Sequence, residues 1–213
     1  MGMILEHVTK ELNGRKVLND ISAVFEEGHV YGLRGYNGSG KTMLLRVLCG
    51  LMYPTEGRVL YDGKELGRDI EFPESVGLLI ENPAFIGNLS AAKNLELILS
   101  LNPKSCTEER IEHALSSVGL AEAGKLRYSR FSLGMKQRLG IAAAIMEEPR
   151  LLILDEPTNA LDEDGIKMAA DLIRDMKSPD RIIIVASHEK EFLNSVADEV
   201  IEMREGRIQT DEK

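Results

Sequence analysis

Gly35-Tyr36-Asn37-Gly38-Ser39-Gly40-Lys41-Thr42 decides the fold. The octet fits G-x-x-x-x-G-K-[ST], follows the short apolar run Val30 to Leu33, and opens a segment in which Leu44, Leu45, Val47 and Leu48 have helical spacing. Strand, glycine-rich turn and helix in that order make a cradle for phosphate. The glycines let successive backbone N–H groups point inward, and the helix N-terminus adds the positive end of its dipole. In such a loop Lys41 reaches the β- and γ-phosphates of a nucleotide, and Thr42 offers its hydroxyl to Mg²⁺.

Two later strand ends carry matching chemistry. Leu151-Leu152-Ile153-Leu154-Asp155-Glu156 is an apolar run closing on two carboxylates. A parallel strand buried on both faces reads this way, and ligands of α/β proteins bind at the carboxyl ends of such strands. Asp155 is placed to hold Mg²⁺, and Glu156 to orient or deprotonate an attacking water. The apolar run Ile182 to Val185 ends on Ser187-His188, which puts His188 in reach of a γ-phosphate, whereas His7, His29 and His113 lack such placement.

Working outward, period-2 and short apolar runs predict strands near Met3–Thr9, Val17–Phe25, Val30–Leu33, Arg58–Tyr61, Val76–Ile80, Leu151–Leu154, Arg181–Ala186 and Glu199–Met203. Helical patterns fall near Lys41–Cys49, Ala91–Ser100, Glu108–Val118, Leu133–Met146, Glu163–Met176 and Glu189–Val196. Asn13-Gly14 and Asp62-Gly63 are hairpin signals, so the early strands are expected antiparallel. The later strands alternate with helices, which favours parallel pairing. The stretch from about Asn82 to Arg130 has no good strand and reads as a helical lobe.

The 213 residues can bury a core without staples, and no apolar run approaches the ~18 to 20 residues of a spanning helix. Cys49 and Cys106 lie far apart in no ligand-spaced cluster, which argues against zinc and for a reducing compartment; each reads as a small packed residue. The opening residues lack a signal-peptide pattern, so an intracellular protein is expected. A net charge of −9 excludes a field that gathers nucleic acid. The charge is nevertheless uneven. No Asp or Glu occurs from Gly28 to Thr55 or from Ala123 to Met146, as though two places that meet an anion had been cleared of carboxylates.

Taken together, the sequence resembles the nucleotide-binding subunit of an ABC transporter over essentially its whole length. Beside the Walker A loop (35–42) and the Walker B strand (151–156), Phe131-Ser132-Leu133-Gly134-Met135-Lys136-Gln137-Arg138 stands where the family has its LSGGQ signature. Asn159-Ala160-Leu161-Asp162 resembles the D-loop, Ser187-His188 the switch histidine, and Glu81 occupies the Q-loop position. The resemblance implies a P-loop NTPase (RecA-like) α/β core with an N-terminal antiparallel β-subdomain and a small helical subdomain. All 213 residues then form one ATP-binding domain, with residues 1–81 and 147–213 as core and about 82–146 as the helical part. It implies ATP and Mg²⁺ as cofactors and Glu156, His188 and Lys41 as catalytic residues. Nucleotide contacts come from Gly35, Tyr36, Asn37, Gly38, Ser39, Gly40, Lys41, Thr42 and Met43, with Ser132 and Gly134 from the signature. Thr42, Asp155 and Glu81 face the metal.

The same resemblance implies a head-to-tail homodimer sandwiching two ATP molecules, each between one copy's Walker A and the other's signature. It further implies a separately encoded membrane permease, placement on the cytoplasmic face of the cell membrane, and no nucleic-acid partner. Several residues depart from the family pattern. Glutamate replaces glutamine at 81, and Leu133 and Met135 stand in the signature; this combination resembles the branch tied to bacitracin and lantibiotic resistance and peptide export. Leu12 sits where an aromatic A-loop residue stacks on adenine, which implies weak discrimination between ATP and GTP. Met43 replaces a second hydroxyl, and Arg34 has no account at the level of sequence. Two other readings fit parts of the chain: a soluble ABC-type ATPase acting on ribosomes or DNA, and a regulatory nucleotide-binding module without useful catalysis.

Overall fold

The computed structural model describes residues 2–81, 83–102 and 107–209. In chain order these form β1 (Gly2–Leu12), β2 (Arg15–Glu26), β3 (His29–Arg34), α1 (Lys41–Leu48), β4 (Glu56–Tyr61), β5 (Lys64–Glu65) and β6 (Val76–Leu79). There follow α2 (Ala91–Leu99), α3 (Glu108–Ser117), a 3₁₀ turn (Tyr128–Arg130), α4 (Leu133–Ile145), β7 (Leu151–Asp155), α5 (Glu163–Met176), β8 (Ile182–Ser187), α6 (Lys190–Val196), β9 (Glu199–Arg204) and β10 (Arg207–Ile208).

Both hairpin signals act as expected. Asn13 and Gly14 take positive φ (50° and 77°), as do Asp62 and Gly63 (49° and 78°), the backbone that two-residue hairpin turns require. They fold β1 against β2 and β4 against β5 in an antiparallel sheet of order β2-β1-β4-β5. The third early strand departs from its neighbours. β3 leaves this sheet and lies parallel between β8 and β9 in a six-stranded sheet of order β10-β9-β3-β8-β7-β6. Its partners lie about 150 residues away, beyond the reach of local pattern.

The parallel strands explain why β7 and β8 are apolar throughout, for each is buried on both faces. Alternate residues serve two cores. Leu151, Ile153, Ile182 and Ile184 face a core shared with α1 and the antiparallel sheet, while Leu152, Leu154, Ile183 and Val185 face one shared with the helices. The phosphate loop therefore leaves the middle of a sheet covered on both sides.

Ser90, Thr107, Ser132 and Asp162 cap α2, α3, α4 and α5, each accepting a backbone N–H three residues on. Between residues 83 and 146 the described chain holds helices and no strand, as expected. α4 lies tightly on the parallel sheet. A Cβ on Gly77 of β6 would stand 1.9 Å from the Ala144 carbonyl oxygen of α4, so only glycine permits this approach. Cys49 is a buried free thiol packed among the α1 leucines, and Cys106 lies outside the described residues. No helix among the described residues is long and apolar enough to cross a membrane.

Candidate active site

The loop after β3 turns through Gly38 and Gly40 (φ 86° and 108°) into α1. At Gly40 the backbone conformation excludes other residues, and a Cβ would also meet the Val17 carbonyl oxygen at 3.0 Å. This packing joins the loop to β2, and the Gly206 N–H donates to the Ser39 carbonyl from the β9–β10 turn. A cavity of about 970 Å³ opens over the loop, in the size range of small-molecule sites. Tyr36, Asn37, Gly38, Gly40, Lys41, Thr42, Met43, Glu81, Asp155 and Glu156 all line it, so most of the residues singled out in sequence meet at one place.

Lys41 is 5% exposed and needs partners. Its Nζ donates to the Gly35 carbonyl at 2.7 Å and lies 3.3 Å from Glu156 Oε1, an ion pair without hydrogen-bond alignment. Thr42 Oγ1 donates to Asp155 Oδ2 at 2.6 Å, while Asp155 Oδ1 is buried with no hydrogen-bond partner. Burial pushes the Asp155 carboxyl above its ordinary value. The Thr42 bond opposes the shift, the Glu156 charge adds to it, Lys41 opposes it and Glu81 adds again. A cation would relieve that carboxylate.

Glu156 takes a left-handed backbone (φ 48°), with its N–H on the Ala186 carbonyl of β8 at 2.8 Å. Its Oε2 lies 2.9 Å from His188 Nδ1 and accepts from Ser187 Oγ at 3.3 Å. His188 thus meets the site through Glu156. Glu81 also sits at positive φ (58°), and its Oε1 pairs with Arg46 Nη2 at 2.6 Å. Glu81 thus pairs with the guanidinium of α1, which stands one helical turn after Thr42.

Gln137, quoted above only as part of the stretch 131–138, has a structural role of its own. It is 6% exposed, and its Nε2 donates to the carbonyls of Glu156 (3.0 Å) and Pro157 (3.2 Å). Only a buried carboxamide could have signalled it. Arg34 also gains an account, as it pairs with Glu202, its register partner on β9.

The family model for the ABC transporter matches residues 18–159. The chain is 48% identical over 207 residues to an uncharacterized ABC transporter ATP-binding protein, YybJ of Bacillus subtilis, spanning 97% of this chain and 94% of that one. The chain belongs to the ABC transporter family. It is an ATP-binding protein of that family and an ATPase. The lantibiotic transport ATP-binding protein SrtF of Streptococcus pyogenes is 37% identical, covering 96% of this chain and 87% of its own length. The bacitracin transport ATP-binding protein BcrA of Enterococcus faecalis is 38% identical over 95% of this chain and 66% of its own. In fold, the chain matches the ATP-binding cassette MJ0796, solved as a dimer in a post-hydrolysis state bound to ADP and Pi, with TM-score 0.87 at 23% identity over 99% of this chain and 98% of that one.

Residues 131–138, which resemble the family's signature, begin in a cavity apart from the one over residues 35–42. Ser132 and Gly134 line a separate cavity of about 880 Å³ with Leu133, Met135, Ala160 and Asp162. Ser132 caps α4, its Oγ accepting from the Met135 N–H at 3.2 Å, and Leu133 is 73% exposed. Arg138, on the same helix, donates to Asp162 Oδ1 at 3.2 Å, tying the signature helix to the D-loop.

Proposed function

We propose that this ATPase is the motor subunit of a transporter: two copies associate head to tail, clamp two MgATP between them, and drive a separately encoded membrane permease from its cytoplasmic face. The observation that carries the dimer is the separation of the two cavities. Ser132 and Gly134 line one and Lys41 the other, so a signature that is to touch ATP meets it on a second copy. The N-terminus of α4 would then offer its dipole to the γ-phosphate in trans. Residues 1–81 and 147–213 act as the nucleotide-binding core in this scheme, and 82–146 as the helical part that carries the signature across.

Mg²⁺ fits the residues present. Thr42 Oγ1 and the unpartnered, buried Asp155 Oδ1 are hard oxygen donors, and Mg²⁺ takes much of its shell from water and substrate phosphates. Among the described residues no three His, Cys, Asp or Glu side chains cluster as a self-sufficient metal cage, which suits such a substrate-borne ion. The ion, when bound, screens the phosphate charge. In the protein's own share of the chemistry, Lys41 binds the β- and γ-phosphates and the Walker A amides, Gly35 to Met43, orient them. Glu156 holds the proton of the attacking water, and His188 fixes the Glu156 carboxylate.

The cargo class follows from the relatives named for lantibiotic and bacitracin transport, so peptide-antibiotic export or resistance is the substrate reading. Glu156→Gln tests the chemistry. ATP binding is expected to persist while turnover falls by about 10²- to 10⁴-fold, the range for loss of a general base. Near-normal turnover would remove Glu156 from its role.

A further inference from the structure

Arg46 stands four residues after Thr42 on α1, so the two side chains share one helix face, a turn apart. Thr42 delivers its hydroxyl to Asp155, and Arg46 delivers its guanidinium to Glu81 at 2.6 Å. Among the described residues, neither Arg46 nor Glu81 has another ion-pair partner. Glu81 lines the ATP cavity with a side chain 59% exposed, on a backbone at φ 58° that a glutamate seldom adopts. Its charge already reaches Asp155 and helps hold that carboxyl above its ordinary range. An untethered carboxylate here would stand free beside the place where ATP brings its polyphosphate.

We infer that Arg46 is a positioning residue, which holds the Glu81 carboxylate one helical turn from the Thr42–Asp155 end of the cavity and so lets glutamate occupy this position without repelling ATP. The inference rests on the cavity over residues 35–42 being the ATP site. It gives Arg46 a role that exists only because residue 81 is acidic, and that dependence can be measured.

The experiment is calorimetric titration of ATP with Mg²⁺ into the full chain, comparing Arg46→Met, Arg46→Lys, Glu81→Gln and the Arg46→Met/Glu81→Gln double variant at two salt concentrations. Arg46→Met is expected to weaken binding about fivefold, the scale of a half-exposed ion pair, and less at high salt. Arg46→Lys restores most of the loss. In the Glu81→Gln background Arg46→Met costs less than about twofold relative to Glu81→Gln itself, since no carboxylate remains to restrain. In steady-state hydrolysis Arg46→Met raises KM and leaves kcat close to the parent. Equal losses from Arg46→Met in both backgrounds, or no loss in either, overturn the inference. A Lys41→Ala variant that binds ATP as tightly as the parent would instead overturn the site itself, and so separates the two failures. Binding by the double variant that equals that of Glu81→Gln shows that removing Arg46 leaves the fold intact.

Discussion

Replacing Gln137 with methionine keeps the volume of a buried side chain and deletes only its donor. Two carbonyls lose this donor, Glu156 at 3.0 Å and Pro157 at 3.2 Å, and the Glu156 oxygen keeps the Asn159 N–H at 3.2 Å. Leaving the Pro157 oxygen buried and unsatisfied costs about 1–3 kcal/mol, and the less buried Glu156 bond adds about 0.5–1.5 kcal/mol. The expected loss is therefore about 2–4 kcal/mol, a large share of the ~5–15 kcal/mol that holds a domain together. For a chain of this size it lowers the unfolding midpoint by about 5–15 °C. The second effect is on catalysis. Glu156 sits at φ 48°, a conformation held from one side by its N–H on Ala186 and from the other by its carbonyl, which accepts from Gln137 and from the Asn159 N–H. Without Gln137 the backbone that carries Glu156 is held less firmly, so the carboxylate shifts even with His188 and Ser187 still on it, and a misplacement of about 1 Å can cost ~10²-fold in rate. Calorimetric unfolding and steady-state ATP hydrolysis, on Gln137→Met beside the parent, read the two effects separately. Both should appear, with kcat falling and KM nearly unmoved. A lower midpoint with kcat within twofold of the parent would show that Gln137 only supports the fold, and the reasoning that makes it a tether for Glu156 would be wrong.

Two further outcomes follow from the site. Because burial, more than any other influence, raises the Asp155 carboxyl above 3.8, its ionised form costs stability: the contribution is fully favourable below that value and lost as pH rises through the folded-state pKa. Asp155→Asn should thus make the nucleotide-free protein more resistant to urea at pH 7 while abolishing hydrolysis, with the advantage closing as pH falls toward 3.8; an Asn variant less stable than the parent at pH 7 contradicts this. Leu12 lines the cavity proposed for ATP, 36% exposed, and offers no aromatic face. A tyrosine there should tighten ATP about tenfold, as base stacking is worth ~1–3 kcal/mol, and direct binding titration checks it: an unchanged Kd would place the base elsewhere.

What the sequence made legible was what chemistry confines to neighbouring residues. Phosphate binding needs glycines, Lys41 and Thr42 within one turn, and a buried parallel strand needs the apolar run that ends on Asp155 and Glu156; both sit as the pattern required. Six helices fell within a residue or two of their observed bounds because their caps and apolar spacing are local. β5, β10 and the 3₁₀ turn at Tyr128–Arg130 are two or three residues long, too short for any period to show. The role of Gln137 was hidden for another reason. Its partners are backbone carbonyls 19 and 20 residues away, and a carbonyl has no identity in a sequence. The Arg46–Glu81 pair spans 35 residues and three strands, β4 to β6, so only the fold could bring it together.

The net charge of −9 conceals an ordered arrangement. Within the acid-free stretch 28–55 there are three cations, Arg34, Lys41 and Arg46, and each is paired with a glutamate from a parallel strand or from the residues just after one: Glu202 in β9, Glu156 after β7, Glu81 after β6. The stretch contributes positive charge and backbone N–H groups, and its neighbours return the carboxylates. That half of the site is self-neutralised in the single chain. The second stretch differs. Arg138 pairs with Asp162, and Lys136 lies over the Tyr128 ring, while Lys125, Arg127 and Arg130 form no ion pair among the described residues. Three cations of this stretch therefore have no ion-pair carboxylate among the described residues, and Glu122 and Asp162 are the acids that line the cavity of Ser132 and Gly134. In the proposed dimer, ATP held by a second copy's loop 35–42 would bring these cations an anion from another molecule.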